Sequence, residues 1–351
     1  MVVLVLLKMT TEDQTLYEVS RKNSSGVDQG IVVIGIHTIL GELLLEKLEK
    51  NPSVTSYHAV DLHAPGRAYS KKFKKLHFIK LDLIDPGADA RLAKKLEEIG
   101  ASLVVHTALK NNPSLNWVQA HELEVIGTLN IVSACKAAQV KKLVFCSTTA
   151  VYGASPKNPN YIDETHPLAA HPEAHFIRDK VEAEKQIAQV RKEAPEISLS
   201  VLRFALILGP KSKNYFTELF RRPIVPTLLG YDPLMQFVHE KDAGNALETA
   251  VMKNHPGIFN ITGHGVIPLS YALREAGKFS LPVASFLAYP LVQVLWNLQL
   301  VSVPGKLLDY FRYLWVTDGE KAKREMNFVP TYSSKEAFLD FAKSQRLQEF
   351  Q

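Results

Sequence analysis

Four apolar residues in a row, Ile31-Val32-Val33-Ile34, run straight into Gly35. Such a run predicts a parallel strand covered on both faces. Leu40, Leu43, Leu44 and Leu48 then recur at helical spacing, with Lys47 and Lys50 favouring the carboxyl end and Asn51-Pro52 as the stop. The pattern predicts further strands over 57–61, 77–81, 103–106, 142–146 and 198–204. Helices are predicted between them. One is opened by Asp85 as N-cap with Pro86 in its first turn and closed by Gly100; the others cover roughly 115–138 and 173–193. Strand and helix in alternation predict an α/β fold, a Rossmann-type doubly wound parallel sheet with right-handed crossovers.

After about residue 208 the rhythm breaks into short segments rich in proline and glycine. The expected organisation is a flexible leader over 1–30, a dinucleotide-binding domain over 31–207, and a smaller substrate or lid domain over 208–351, interwoven with the first. Met1 to Leu7 is apolar, but the run is interrupted by Lys8 and lacks the basic start of a signal peptide, so a cytoplasmic location is expected. From Phe279 to Gly305 there is no charged residue. That length could cross a bilayer, yet Pro282, Pro290, Gln293, Asn297 and Gln299 argue against one clean span. Core or pocket-lid helices over an apolar small-molecule ligand are expected, with peripheral membrane contact through 279–305 as the alternative.

Composition narrows the function classes. The 351 residues, 46% hydrophobic and 22% charged, suffice for a core without disulfides or metal. A net charge of +5 with scattered basic residues speaks against nucleic acid as a partner. The two cysteines, Cys135 and Cys146, lie in apolar surroundings and read as buried reduced thiols; no Cys/His cluster has metal-ligand spacing.

The chemistry begins at the loop Gly35-Ile36-His37-Thr38-Ile39-Leu40-Gly41 between the first strand and helix. A dinucleotide site wants glycine there, because a pyrophosphate rests against backbone N–H groups at a helix amino end. Gly35 and Gly41 keep the outer glycines. Thr38 takes the middle position, where its hydroxyl could donate to a phosphate oxygen, with Ile39 beside it. Asp61 ends the second strand, placed to accept from adenosine ribose hydroxyls, and Asp82 follows the third, placed to accept from the adenine amino group or to cap a turn. Asp61 favours NAD over NADP, since a 2′-phosphate would meet like charge. Arg67 and the run Lys71-Lys72-Phe73-Lys74-Lys75 leave NADP open.

Several ordered motifs then carry a resemblance. They are Val104-Val105-His106-Thr107-Ala108, Gly127-Thr128-Leu129-Asn130, the segment from Val144 to Gly153, Leu202-Arg203-Phe204, Phe237-Val238-His239 with Asp242, and Phe328-Val329-Pro330. Over roughly 31–335 the chain resembles the extended short-chain dehydrogenase/reductase family, the epimerase, dehydratase and 3-beta-hydroxysteroid dehydrogenase type. The resemblance implies that Thr107 and Ala108 border the cofactor, that Thr148 hydrogen-bonds a substrate oxygen, and that Lys180 holds the nicotinamide ribose. It also implies a homodimer built from the helices near 115–138 and 173–193, with Val181, Ile187 and Val190 as apolar contacts or as core.

One position departs from the family pattern. Phe176 stands four residues before Lys180, where the family carries its catalytic tyrosine. A positioned acid or base contributes about 10²–10⁴-fold, and phenylalanine can neither give nor take a proton. Two readings follow: a pseudoenzyme that binds a nicotinamide dinucleotide and acts through ligand or partner binding, or an active epimerase, dehydratase or oxidoreductase with a displaced donor, Tyr161 or His175. Tyr152 is expected to pack beneath the cofactor loop.

Overall fold

A computed structural model of the chain describes residues 30–110 and 112–349. The expected leader, Gly30 apart, lies outside the described residues. Seven parallel strands form the central sheet: β1 (Ile31–Ile34), β2 (Tyr57–Asp61), β3 (Leu76–Lys80), β4 (Leu103–His106), β5 (Lys142–Thr148), β6 (Ser198–Phe204) and, after four short outer strands, β11 (Gly257–Ile261), in the order β11-β6-β5-β4-β1-β2-β3. The outer strands β7 (Leu206–Leu208), β8 (Ile224–Leu228), β9 (Leu234–Met235), β10 (Phe237–His239), β12 (Ile267–Pro268) and β13 (Phe279–Val283) pair as β7 with β10, β8 with β13 and β9 with β12.

The unbroken apolar run of β1 is accounted for by what covers it. Ile31 and Val33 pack on one face with Leu44 and Leu48 of α1 (Ile39–Lys50), while Val32 and Ile34 pack on the other with Leu92 and Leu96. Strand order reverses between β1 and β4, so their carboxyl ends diverge into a crevice. A short helix that periodicity did not predict, α2 (Arg67–Lys72), follows β2. Its Lys72 pairs with Glu46 at 2.6 Å and Glu42 at 3.4 Å, so this cation faces α1 rather than the crevice.

Two helices differ from expectation. α3 (Ala88–Ile99) begins later than an Asp85 cap would place it, with Gly87 in the left-handed region before it. Asp85 closes the preceding turn instead: its carbonyl accepts from Ala88, and its carboxylate pairs with Arg91. The helix expected over 115–138 is composite. It comprises α4 (Trp117–His121), a π turn over Glu122–Ile126, and α5 (Gly127–Ala137), and the widened turn carries Glu124 into the interior, 2% exposed.

α6 (His175–Glu193) packs Ile187 and Val190 against the sheet and Val181 against an aromatic cluster, so all three serve this chain's own core. The rest of the helical layer is α7 (Glu240–Met252), α8 (Leu269–Glu275), α9 (Ser285–Asn297), α10 (Glu320–Met326) and α11 (Ser334–Glu349). Both cysteines are buried; desolvation pushes the Cys135 thiol up to about 12 and the Cys146 thiol up as well.

The uncharged stretch folds as β13, α9 and the turn that follows. Among the described residues, no helix is long and apolar enough to cross a membrane. The stretch does not roof the crevice either: Ala288 is the only buried residue of α9, and no residue from 279–305 borders the groove or cleft described below. The expected pocket lid is therefore not what this segment forms.

Candidate functional site

The crevice at the β1/β4 ends is shaped by local necessity. Gly35 has φ +93°, and a Cβ on it would lie 2.4 Å from Ala108 Cα, so glycine alone fits. Thr107, buried, fixes the facing chain: its hydroxyl reaches the Ile34 and Gly35 carbonyls at 2.9 and 2.7 Å. Thr38 is the N-cap of α1, its hydroxyl donating to the Gly35 carbonyl at 2.9 Å and accepting from Gly41 N–H at 3.0 Å. That proton is committed to the turn, which corrects the expectation that it serves a phosphate. Gly41 is buried, and a Cβ there would meet Gly35 O at 2.3 Å, so its glycine permits the close loop-to-helix approach.

A donor set remains for an anion. The backbone N–H groups of Ile39 and Leu40 have no partner among the described residues and stand at the amino end of α1. Gly35, Thr38, Asp61, Asp82 and Ala108 border one groove of about 610 Å³. Asp61 receives long contacts from the His37 and His63 amides, at 3.4 and 3.5 Å, and keeps acceptor capacity. Asp82 both borders the groove and caps the Ile84 N–H at 3.1 Å. Lys110 and Lys213 stand where this groove meets a smaller inner cleft.

The inner cleft, of about 90 Å³, brings together Thr148, Phe176 and Lys180, as the motif spacing predicts, with Ile39 and Thr107 at its inner edge. Thr148 Oγ1 accepts from Ala150 N–H at 3.3 Å, and its proton has no acceptor among the described residues. Lys180 is fully engaged. Its ammonium donates to the Lys110 carbonyl at 2.7 Å and to both Glu124 oxygens at 3.0 and 3.2 Å, and it lies 4.7 Å from the Phe176 ring centroid. Burial pushes the Glu124 carboxyl up, opposed by the Lys180 ammonium and by the Lys110 N–H, which donates to it at 2.6 Å. Sequence reasoning missed Glu124, which lies within the helix expected over 115–138 but in no motif.

Behind this pair His106 is wholly buried. Its Nδ1 accepts from Ala108 N–H, so Nε2 carries the proton toward Thr128 Oγ1 at 2.9 Å, and Thr128 in turn donates to the Glu124 carbonyl. Desolvation, with the Lys180 charge adding to it, lowers His106 from 6.5 to about 3. The unfolded chain therefore binds this proton more readily than the folded one. Stability from this group is complete above about pH 6.5 and declines as pH falls toward 3. Unfolding by urea across that window is expected to show an extra proton uptake that disappears in His106→Asn.

Phe176 is half-buried and meets Tyr215 edge-on at 6.0 Å. Tyr215 borders the same cleft, and burial raises its pKa. No motif announced it. The two donors expected from sequence lie elsewhere. Tyr161 is 62% exposed and borders a separate hollow with Thr262 and Gly263, while His175 stacks on Trp117 at 5.2 Å, outside the cleft. Tyr152 is not beneath the cofactor loop: its hydroxyl donates to Asn260 at 2.7 Å and accepts from Arg203.

That Arg203 belongs to a buried network that holds α6 to the sheet. Glu184 of α6 pairs with the Arg203 guanidinium and accepts from Ser147 Oγ at 2.6 Å, with both ionic side chains 3% exposed. The network spans β5, α6, β6 and β11, and so sets the face of α6 that carries Phe176 and Lys180.

Comparisons with known proteins place this geometry. An uncharacterized protein of Mycobacterium tuberculosis is 29% identical over 320 residues, covering 90% of this chain and 84% of that one. The dTDP-glucose 4,6-dehydratase of Bacillus anthracis, solved in complex with NAD, superposes with a TM-score of 0.68 at 17% identity over 91% of this chain and 97% of that one. The UDP-glucose 4-epimerase of Thermotoga maritima, solved with UDP-glucose, also gives 0.68, at 18% identity over 91% and 99%. The model of the NAD dependent epimerase/dehydratase family matches residues 31–262, more than half of the sequence. With the glycine loop, the Thr107-Ala108 wall and the Thr148/Lys180 cleft in their expected order, the chain belongs to the NAD dependent epimerase/dehydratase family.

Proposed function

We propose that this protein holds NAD across the Gly35 loop and the Asp61 groove but has lost the proton chemistry of its family, and acts through ligand or partner binding. The observation that carries the proposal is the state of Lys180. Its three N–H donors are spent on Glu124 and the Lys110 carbonyl, and the ring it faces at position 176 has no hydroxyl. A nicotinamide supplies hydride chemistry when bound, but the ring at position 176 offers Lys180 no hydroxyl to activate. NAD is favoured over NADP in this reading because Asp61 borders the groove and its carboxylate would repel a 2′-phosphate bound beside it.

The inner cleft suits a small ligand with an apolar face, since Phe176, Phe204, Leu206 and Ile207 form much of its wall. We place the protein in the cytoplasm, with 208–351 as its ligand-facing part. A homodimer has a ready surface on α4, the π turn and α5, where Trp117, Val118, Ile126 and Leu129 are exposed. The second reading, an active enzyme with a displaced donor, draws its support from Tyr215, whose phenol borders the same cleft.

The test uses UDP-glucose as probe, the compound bound to one structural relative. Fluorescence titration is expected to show NADH binding tighter than NADPH, and UDP-glucose added to the NAD-loaded protein is expected to leave the nicotinamide oxidised. Turnover with UDP-glucose that is lost in Tyr215→Phe overturns the pseudoenzyme reading and installs the second. Absence of NADH binding overturns both.

A further inference from the structure

We propose that Lys213 clamps the diphosphate of a bound dinucleotide against the glycine loop. The proposal rests on the reading that the groove holds NAD, and adds to it a residue that belongs to no nucleotide motif. Beside the groove and the inner cleft, a third hollow of about 480 Å³ opens at the amino end of α1, bordered by Ile39, Glu42, Pro210 and Lys211 among others. Among the described residues, Thr38 and Lys213 alone border all three cavities. Thr38 caps α1, next to the free Ile39 and Leu40 N–H groups, and Lys213 comes to the same junction from the segment after β7. That segment is anchored on both sides of Lys213. Lys211 pairs with Glu46 of α1 at 2.7 Å, and its backbone N–H donates to Glu240 of α7 at 2.9 Å. Ser212 is buried, its N–H donating to the Gly209 carbonyl at 3.1 Å. Asn214 donates to the Ile207 carbonyl at 3.1 Å and accepts from the Phe216 and Thr217 N–H groups. Lys213 itself is exposed, and its ammonium has no partner among the described residues.

The distribution of charge assigns that ammonium its task. A diphosphate carries negative charge on both phosphates, and the loop from Gly35 to Gly41 offers it backbone donors but no lysine or arginine. The Thr38 hydroxyl is spent on the turn, so a charged donor must come from another segment. The nearby cations are already committed: Lys72 to Glu42 and Glu46, Lys211 to Glu46, and Lys180 to Glu124. Lys110 is free at its ammonium among the described residues, but it borders the groove and cleft and not the hollow at α1. The carboxylates leave the junction open to an anion. Glu42 faces Lys72, while Asp61 and Asp82 border the groove but neither of the other two cavities.

Titration with NADH, ADP-ribose and adenosine tests the clamp. Lys213→Gln is expected to weaken NADH and ADP-ribose by about tenfold, the scale of one charge-assisted hydrogen bond, and to leave adenosine, which has no phosphate, unchanged. The affinity of the parent for ADP-ribose is expected to fall as salt rises, and to fall less steeply in the variant. Lys213→Arg is expected to keep most of the parent affinity, an effect that follows charge rather than shape. Because the side chain is exposed, the thermal midpoint of nucleotide-free Lys213→Gln should match that of the parent. Equal ADP-ribose affinity in parent and Lys213→Gln, or a loss that extends to adenosine, overturns the clamp and leaves the NAD reading in place. A parent that binds neither NADH nor ADP-ribose overturns the NAD reading itself, and the clamp with it.

Discussion

Phe176→Tyr combined with Glu124→Gln is expected to raise hydride transfer by about 10²–10⁴-fold, the range of a positioned acid or base, while either change alone gains far less. The reason is that Lys180 already has partners. In the parent its ammonium is saturated by a carboxylate and a carbonyl, so a phenol added at 176 would sit near a charge that Glu124 neutralises. Removing that carboxylate's charge leaves the ammonium to polarise the new hydroxyl one helical turn away. The two substitutions should therefore be non-additive, as groups that act as a unit are. Two measurements check this. An absorbance titration should find the new phenol at lower pH in the double variant than in Phe176→Tyr alone, and nicotinamide reduction should follow the same order. A double variant that binds NADH, shows the lowered phenol and remains inert would locate the loss of activity outside these two positions.

Glu184→Ala is expected to destabilise the fold by about 3–5 kcal/mol, the cost of leaving a buried charge without its partner. Arg203 would keep only Tyr152 and the Glu164 carbonyl in a site 3% exposed, and Ser147 would lose its acceptor. Urea unfolding monitored by circular dichroism reads the loss. Replacing both ions, by Glu184→Leu with Arg203→Met, should cost much less, since a matched apolar pair leaves no orphan charge. A single-variant loss under about 1 kcal/mol would show that solvent reaches Arg203 and that α6 is held by packing instead.

The fold was readable because both faces of the sheet are covered. Ile31 to Ile34 could only be a strand buried on two sides, and the Leu40, Leu43, Leu44 and Leu48 spacing could only be a helix against it. The cleft was half readable. Thr148, Phe176 and Lys180 meet as their spacing implied, because β5 and a single unbroken helix carry them. Glu124 was hidden, since a π turn is decided by tertiary packing and leaves no periodic trace. Tyr215 belongs to no motif, and Tyr161 was excluded only by where its loop folds. Thr38 was misjudged for another reason: an N-cap and a phosphate contact ask for the same hydroxyl, and only geometry shows which one receives it. The stretch 279–305 shows a limit of composition. Absence of charge marks a surface that avoids water but does not say whether protein or another phase covers it.

The Lys180–Glu124 pair has a consequence for whatever enters the cleft. A cation and an anion in direct contact cancel one another's field, and the neighbouring imidazole of His106 is held neutral. The interior wall at Lys180 is thus electrically quiet, and the cations that remain are Lys110 and Lys213, where the cleft meets the groove. A guest there is sorted by its contour and by polar groups such as the Thr148 hydroxyl and the Tyr215 phenol, so small changes in the bulk of the lining side chains should redirect selectivity.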